Sequence, residues 1–168
     1  MALWVFLVGI CVSIGQTLML GPLLPERVAS HFGPTGAADG FMARGTFILL
    51  QWGIAGFLGA LFIGLPVLIR ATPEDAINLP NKRYWLAPER RELTLAYLAD
   101  RFFAFGAATL ALLASVLQLV YEANLRDSSN IDSLPWLYLA VYLAYTVIWS
   151  ITLLRRFSVS TSDFMPPR

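Results

Sequence analysis

Four stretches of the chain, 1–25, 45–69, 102–121 and 133–154, contain no Asp, Glu, Lys or Arg. Each is at least 20 residues long, the length that a hydrocarbon core of ~30 Å requires of a helix rising 1.5 Å per residue. A core helix of a water-soluble domain would interrupt such a run with its polar face. The pattern predicts an all-α polytopic membrane protein, one domain over 1–168. Its four transmembrane helices fall at about 2–21, 46–69, 102–122 and 135–154. A connector at 70–101 and a tail at 155–168 complete it. The first stretch lacks the basic flank and small-residue cleavage site of a signal peptide, so it is expected to remain as a helix.

The polar segments differ in character. The one at 24–45, LPERVASHFGPTGAADGFMARG, is rich in turn residues and holds the only histidine, His31. Pro22 and Pro25 cannot continue the first span. Pro25-Glu26 suits the start of a short helix over 25–31. Gly33-Pro34, Gly36 and Asp39-Gly40 are turn signals, and Asp-Gly favours a tight hairpin. The segment should therefore leave the membrane as an ordered outer loop and return sharply. Loops carry function more often than the elements they join. Its candidate binding residues are Glu26, His31, Phe32, Asp39 and Arg44, which are two carboxylates, an imidazole, a ring and a guanidinium.

Small and polar residues inside the spans set further expectations. Gly53, Gly56 and Gly59 recur every third residue, and Gly56, Ala60 and Gly64 every fourth. In the third span Ala107 and Ala111 repeat the four-residue spacing. Such rows let helices approach closely in lipid. Pro66 should bend the second span near its end. Consecutive spans run in opposite directions, which brings Gln16, Gln51, Gln118 and Tyr138 to one depth beneath the 24–45 loop. Polar groups at that depth need partners, so this layer should hydrogen-bond between helices or line a small polar pocket. Cys11 is expected to be a buried apolar thiol.

In the connector, Thr72-Pro73 followed by Asp75 reads as a capped helical turn. Asn78-Leu79-Pro80-Asn81 breaks it. Tyr84 and Trp85 suit the aromatic belt at a membrane surface. Pro88-Glu89 opens a helix that continues into the third span. Arg155 and Arg156 anchor the last span, and 157–168 reads as extended.

The net charge of +1 carries no nucleic-acid footprint. Its distribution is more informative. The termini and connector carry nine Lys or Arg and the opposite side three, which places both termini in the cytoplasm and the 24–45 loop outside. One His and one Cys, with no metalloprotease, haem-attachment or phosphate-loop motif, leave few catalytic options. No enzyme activity and no cofactor are expected. A minor alternative is a metal-dependent site at His31, which would need Glu26, Asp39 or another chain to converge on it, because zinc takes at least three protein ligands. The expected function is non-enzymatic recognition of a partner (a peptide, a lipid or a membrane protein) through the 24–45 loop. The alternative is an accessory subunit of a large membrane complex, docked through the small-residue rows. The expected partners are the lipid bilayer and other membrane protein chains.

The loop pattern Leu24-Pro25, Val28, His31-Phe32, Gly36, Asp39-Gly40 and Arg44 resembles a bacterial membrane family of unknown function. That family includes the Sdp-toxin immunity protein of bacilli. Asn78-Leu79-Pro80-Asn81, Tyr84-Trp85 and Pro88-Glu89 are similar to the same family. The resemblance covers the loops and the first three spans. It implies a bacterial inner-membrane protein with an outer loop motif and no assigned activity.

Overall fold

A computed structural model of the chain describes residues 1–126, 128, 130, 131 and 133–158. The four predicted spans are present as α1 (Ala2–Leu20), α2 (Arg44–Ala71), α4 (Pro88–Leu125) and α5 (Leu134–Ser158). All four are long and apolar enough to cross a membrane. Between α1 and α2 a short 3₁₀ turn leads into two antiparallel strands, β1 (Arg27–Phe32) and β2 (Ala38–Ala43). The connector holds a 3₁₀ turn at Glu74–Ala76 and the one-turn helix α3 (Lys82–Trp85).

Helix α4 is the axis of the molecule, and α1, α2 and α5 all pack against it. Its 38 residues span about 57 Å at 1.5 Å per residue. Three apolar clusters lie along it. At the hairpin end Leu24, Val28, Phe47, Val120 and Tyr121 are buried together. In the middle Phe6, Phe62 and Leu110 meet. At the connector end Leu86, Leu95, Leu98 and Phe157 form the third.

The close approach in the middle cluster is at Gly106. A Cβ there would lie 2.8 Å from both the Phe6 and the Phe62 rings. Gly9 plays the lesser part, with Leu110 3.2 Å from where its Cβ would be. The predicted rows on α2 are arranged differently. Gly53, Gly56 and Gly64 have nothing within 4 Å of an added Cβ, and only Gly59 meets another helix, at Ile10. Ala60 is exposed, and α2 buries Ala55, Gly59, Phe62 and Pro66 instead. Residues three apart turn through about 300° of a helix, so a three-residue glycine row drifts around the axis and only one of its members reaches the neighbour. Ala107 packs beside the middle cluster, whereas Ala111 is exposed. Cys11 is also exposed on the outside of α1.

Two further expectations change. The helix expected over 25–31 is the strand β1, and Phe157 and Ser158 belong to α5 instead of an extended tail. Residues 159–168 of that tail lie outside the described residues. The Thr72 hydroxyl turns back to donate to Leu68 O at 2.8 Å, so it does not cap the turn that follows. Phe157 explains the helical continuation of α5. Its ring meets Trp85 at 5.3 Å and Tyr97 at 6.1 Å between centroids. Its carbonyl accepts from Asn81 Nδ2 at 3.0 Å and from Trp85 Nε1 at 3.4 Å.

Candidate functional site

The hairpin is built from its backbone outward. Pro25 and Glu26 leave the 3₁₀ turn, and the chain extends so that Val28 points inward and is fully buried. The turn is made by Gly33 to Ala37, with Gly33 N–H donating to Ala37 O at 2.8 Å. Gly36 has φ +84°, a left-handed conformation in which a side chain is strained. A Cβ on Gly36 would also collide with Ile131 O. Asp39-Gly40, expected at the turn, lies within β2. Gly40 faces His31 across an irregular register, and a Cβ there would come within 2.8 Å of the His31 Cβ. Glycine is needed at both positions for closeness of approach as much as for turning.

Side chains from α4 and α2 lock this hairpin to the bundle. The Asn124 amide treats Ala29 as a strand partner would. Its Oδ1 accepts from Ala29 N–H at 2.8 Å and its Nδ2 donates to Ala29 O at 2.9 Å. Nδ2 also donates to Val120 O within α4 at 2.9 Å. Arg44 clamps the two ends of the loop. Its Nη1 donates to Leu24 O at 2.9 Å and Pro22 O at 3.4 Å, while its backbone N–H donates to Glu26 O at 2.9 Å. The tip is held from the other side, where Ile131 N–H donates to Gly36 O at 2.9 Å and the Trp136 indole donates to Pro34 O at 3.3 Å.

Against that fixed frame the predicted site residues separate. His31 and Asp39 come together, with the Nδ1–H of His31 donating to Asp39 Oδ1. Their side chains remain 72% and 55% exposed, so the pair stands in solvent, where such contacts contribute little to stability. Phe32 packs against the buried cluster beneath, and Arg44 is occupied as a clamp. Among the described residues no third His, Cys, Asp or Glu joins His31 and Asp39, so Glu26 lies outside the pair. Two residues not singled out in the sequence add to the exposed face. The Arg27 guanidinium sits 4.7 Å above the Phe41 ring, and Phe41 is half exposed.

The polar layer is partly assembled. Gln16 Nε2 donates to Gln118 Oε1 at 2.9 Å and Ala114 O at 3.1 Å. Gln118 Nε2 passes the chain to Glu122 at 3.0 Å, and Arg126 closes it at 3.4 Å. Tyr121 donates to Thr17 at 3.3 Å. No hydrogen bond among the described residues joins Gln51 or Tyr138 to this chain. Tyr138 instead lines an apolar cleft of about 490 Å³ between α4 and α5, beside Ala111 and Tyr142. A neighbouring cleft of about 350 Å³ lies under the hairpin, where Ser30 and His31 meet Val116, Val120, Trp136 and Leu139.

Residues 7–56 match DUF1648, a domain of unknown function. No curated protein and no solved structure matches the chain. The matched segment runs from α1 through the whole hairpin into α2, so it contains His31, Asp39, Arg44 and the glycines of the turn. Asn124, which docks the hairpin, lies beyond the matched residues on α4.

Proposed function

We propose that the protein is a non-enzymatic membrane protein that recognises a partner (a peptide, a lipid or another membrane protein) through the exposed face of the hairpin. The supporting observation is the contrast within the hairpin. Its backbone is fixed by Asn124 and Arg44, while His31, Asp39 and Phe41 are presented to the outside. A rigid frame holding exposed polar and aromatic groups is what a recognition loop requires. The likeness of its loop pattern to the family of the Sdp-toxin immunity protein is consistent with this reading. The nine-to-three distribution of Lys and Arg supports placing both termini in the cytoplasm and the hairpin outside, and the resemblance of the loop pattern supports a bacterial inner membrane.

The test is photo-crosslinking in native membranes from position 41, with position 93 at the opposite end as the control. A discrete adduct is expected from position 41 only. It should vanish when His31 and Asp39 are both replaced by Ala, and that double variant should unfold within about 1 kcal/mol of the parent. An absent adduct, or a double variant that loses several kcal/mol, would make the loop structural and end the proposal.

A second reading, an accessory subunit, draws on the uncovered Gly53, Gly56 and Gly64, a surface that suits close packing by a helix of another chain. Native mass measurement after gentle solubilisation separates the two readings, and migration at monomer mass counts against this one.

A further inference from the structure

The connector end carries an array that recognition at the hairpin leaves unused. Residues 70–101 with 155 and 156 contain eight Lys or Arg and five Asp or Glu. Several of those charges neutralise one another. Arg91 pairs with Glu92 at 3.6 Å and reaches Glu74 at 4.0 Å, and Arg101 pairs with Asp100 at 3.2 Å. Among the described residues, no carboxylate pairs with Arg90, Arg155 or Arg156, and all three are exposed.

Two of them are held in place by rings instead. The Arg156 guanidinium lies 4.2 Å above Tyr97 and 5.6 Å from the Trp85 ring. The Arg90 guanidinium lies 4.1 Å above Tyr84. Tyr84 and Trp85 touch edge to face, with centroids 5.0 Å apart. Arg90, Tyr84, Trp85 and Arg156 thus form one continuous row. Stacking occupies the face of a guanidinium and leaves its N–H donors in the plane, aimed outward from the rim. That is the arrangement which grips a phosphate with two parallel hydrogen bonds. The stack also removes rotamer freedom before any ligand arrives.

The row sits where the hydrocarbon region ends. Arg155 and Arg156 directly follow the charge-free stretch 133–154, and Tyr97 lies five residues before the stretch that starts at 102. Ile151 and Leu154, four residues and one residue before Arg155 on α5, are exposed, offering an apolar wall just below the cations. Positive charge at the rim over an apolar wall matches a molecule with an anionic head and acyl chains.

We propose that the Arg90–Tyr84–Trp85–Arg156 row binds the phosphodiester headgroup of an anionic phospholipid from the adjoining leaflet. The proposal is independent of the partner at the hairpin. The full chain, reconstituted in an equal mixture of phosphatidylcholine and phosphatidylglycerol, is released and its retained lipids are counted by native mass spectrometry. Phosphatidylglycerol is expected to be retained over phosphatidylcholine. The selectivity should fall about fivefold for each arginine in an R90Q/R156Q variant, the usual effect of one basic side chain at an anionic surface. R90K/R156K, which keeps the charge and removes the planar stack, should lose part of it. R27Q/R126Q, at the opposite end, should lose none. Equal retention of the two lipids by the parent chain would overturn the proposal. So would full selectivity in the lysine variant, which would mean diffuse attraction without a built site. Displacement of the lipid by excess inorganic phosphate would show an anion site that does not require a lipid, and would overturn it as well.

Discussion

The two ends of α4 are organised by different physics. At the hairpin end order comes from directed hydrogen bonds to backbone, those of Asn124 to Ala29 and of Arg44 to the carbonyls of Leu24 and Pro22. At the connector end it comes from rings, with Phe157 buried against Trp85 and Tyr97 and two arginines stacked outside them. The first mode fixes a strand segment to within a hydrogen-bond length and frees its outward side chains. The second holds a connector of irregular backbone by burying area, which sets no register. The hairpin end can present a defined surface, and the connector end can present a charged one.

The comparison breaks most readily at the connector. Phe157→Ala should cost about 3–5 kcal/mol, the usual loss for a buried phenyl ring, and should expose the connector to protease while the hairpin stays protected. Equal loss of protection at both ends would show that the two are one cooperative unit. At the other end Gly36→Ala combines a left-handed φ with a collision with Ile131 O. Strain alone should cost about 1–3 kcal/mol, seen as a lower melting temperature and faster hydrogen exchange at the tip. A neutral result would mean that the tip does not rest on residue 131. The smallest of the three, Asn124→Ala, leaves two backbone groups of Ala29 without their partner and should cost about 1–3 kcal/mol. Its signature is loosening of β1 measured by amide exchange, with no change at Phe157.

Much of this was readable from charge and apolar runs, because a bilayer imposes a length on every span. The spans appear as α1, α2, α4 and α5. A charge-free window stops at the first charge, so α2 and α5 run past theirs, to Arg44 and to Ser158, whereas the start of α4 is legible in Pro88-Glu89 and no breaker interrupts it through Arg90, Arg91 and Arg101. RVASHF has a single β-branched residue and follows Pro25-Glu26, so its local preference favours a helical turn over β1. Strand preference here is decided by the partner and not by the residues themselves, and that partner includes an asparagine 95 positions away. The glycine pattern on α2 identified small faces but not their azimuth. The contact fell to an isolated glycine, Gly106, whose neighbours Phe6 and Phe62 lie on other helices. Depth sorting found Gln16 and Gln118 together but equally included Gln51 and Tyr138, which share the depth and face elsewhere. In the candidate site, spacing suggested His31 with Asp39, while the fixed role of Arg44 and the docking by Asn124 required three dimensions.

A two-stranded ribbon ordinarily presents two open edges, each a row of backbone donors and acceptors that another chain can extend. Here the Asn124 amide occupies both groups of Ala29, near the middle of β1. A side chain therefore plugs the β1 edge, and no incoming strand can zip along it without first expelling an amide from the bundle wall. At β2, over Ala38–Ala43, the preceding Ala37 is bridged to Asn130, so the ribbon is also covered beside its tip. The plug leaves the chain with one edge fewer along which a second copy could pair.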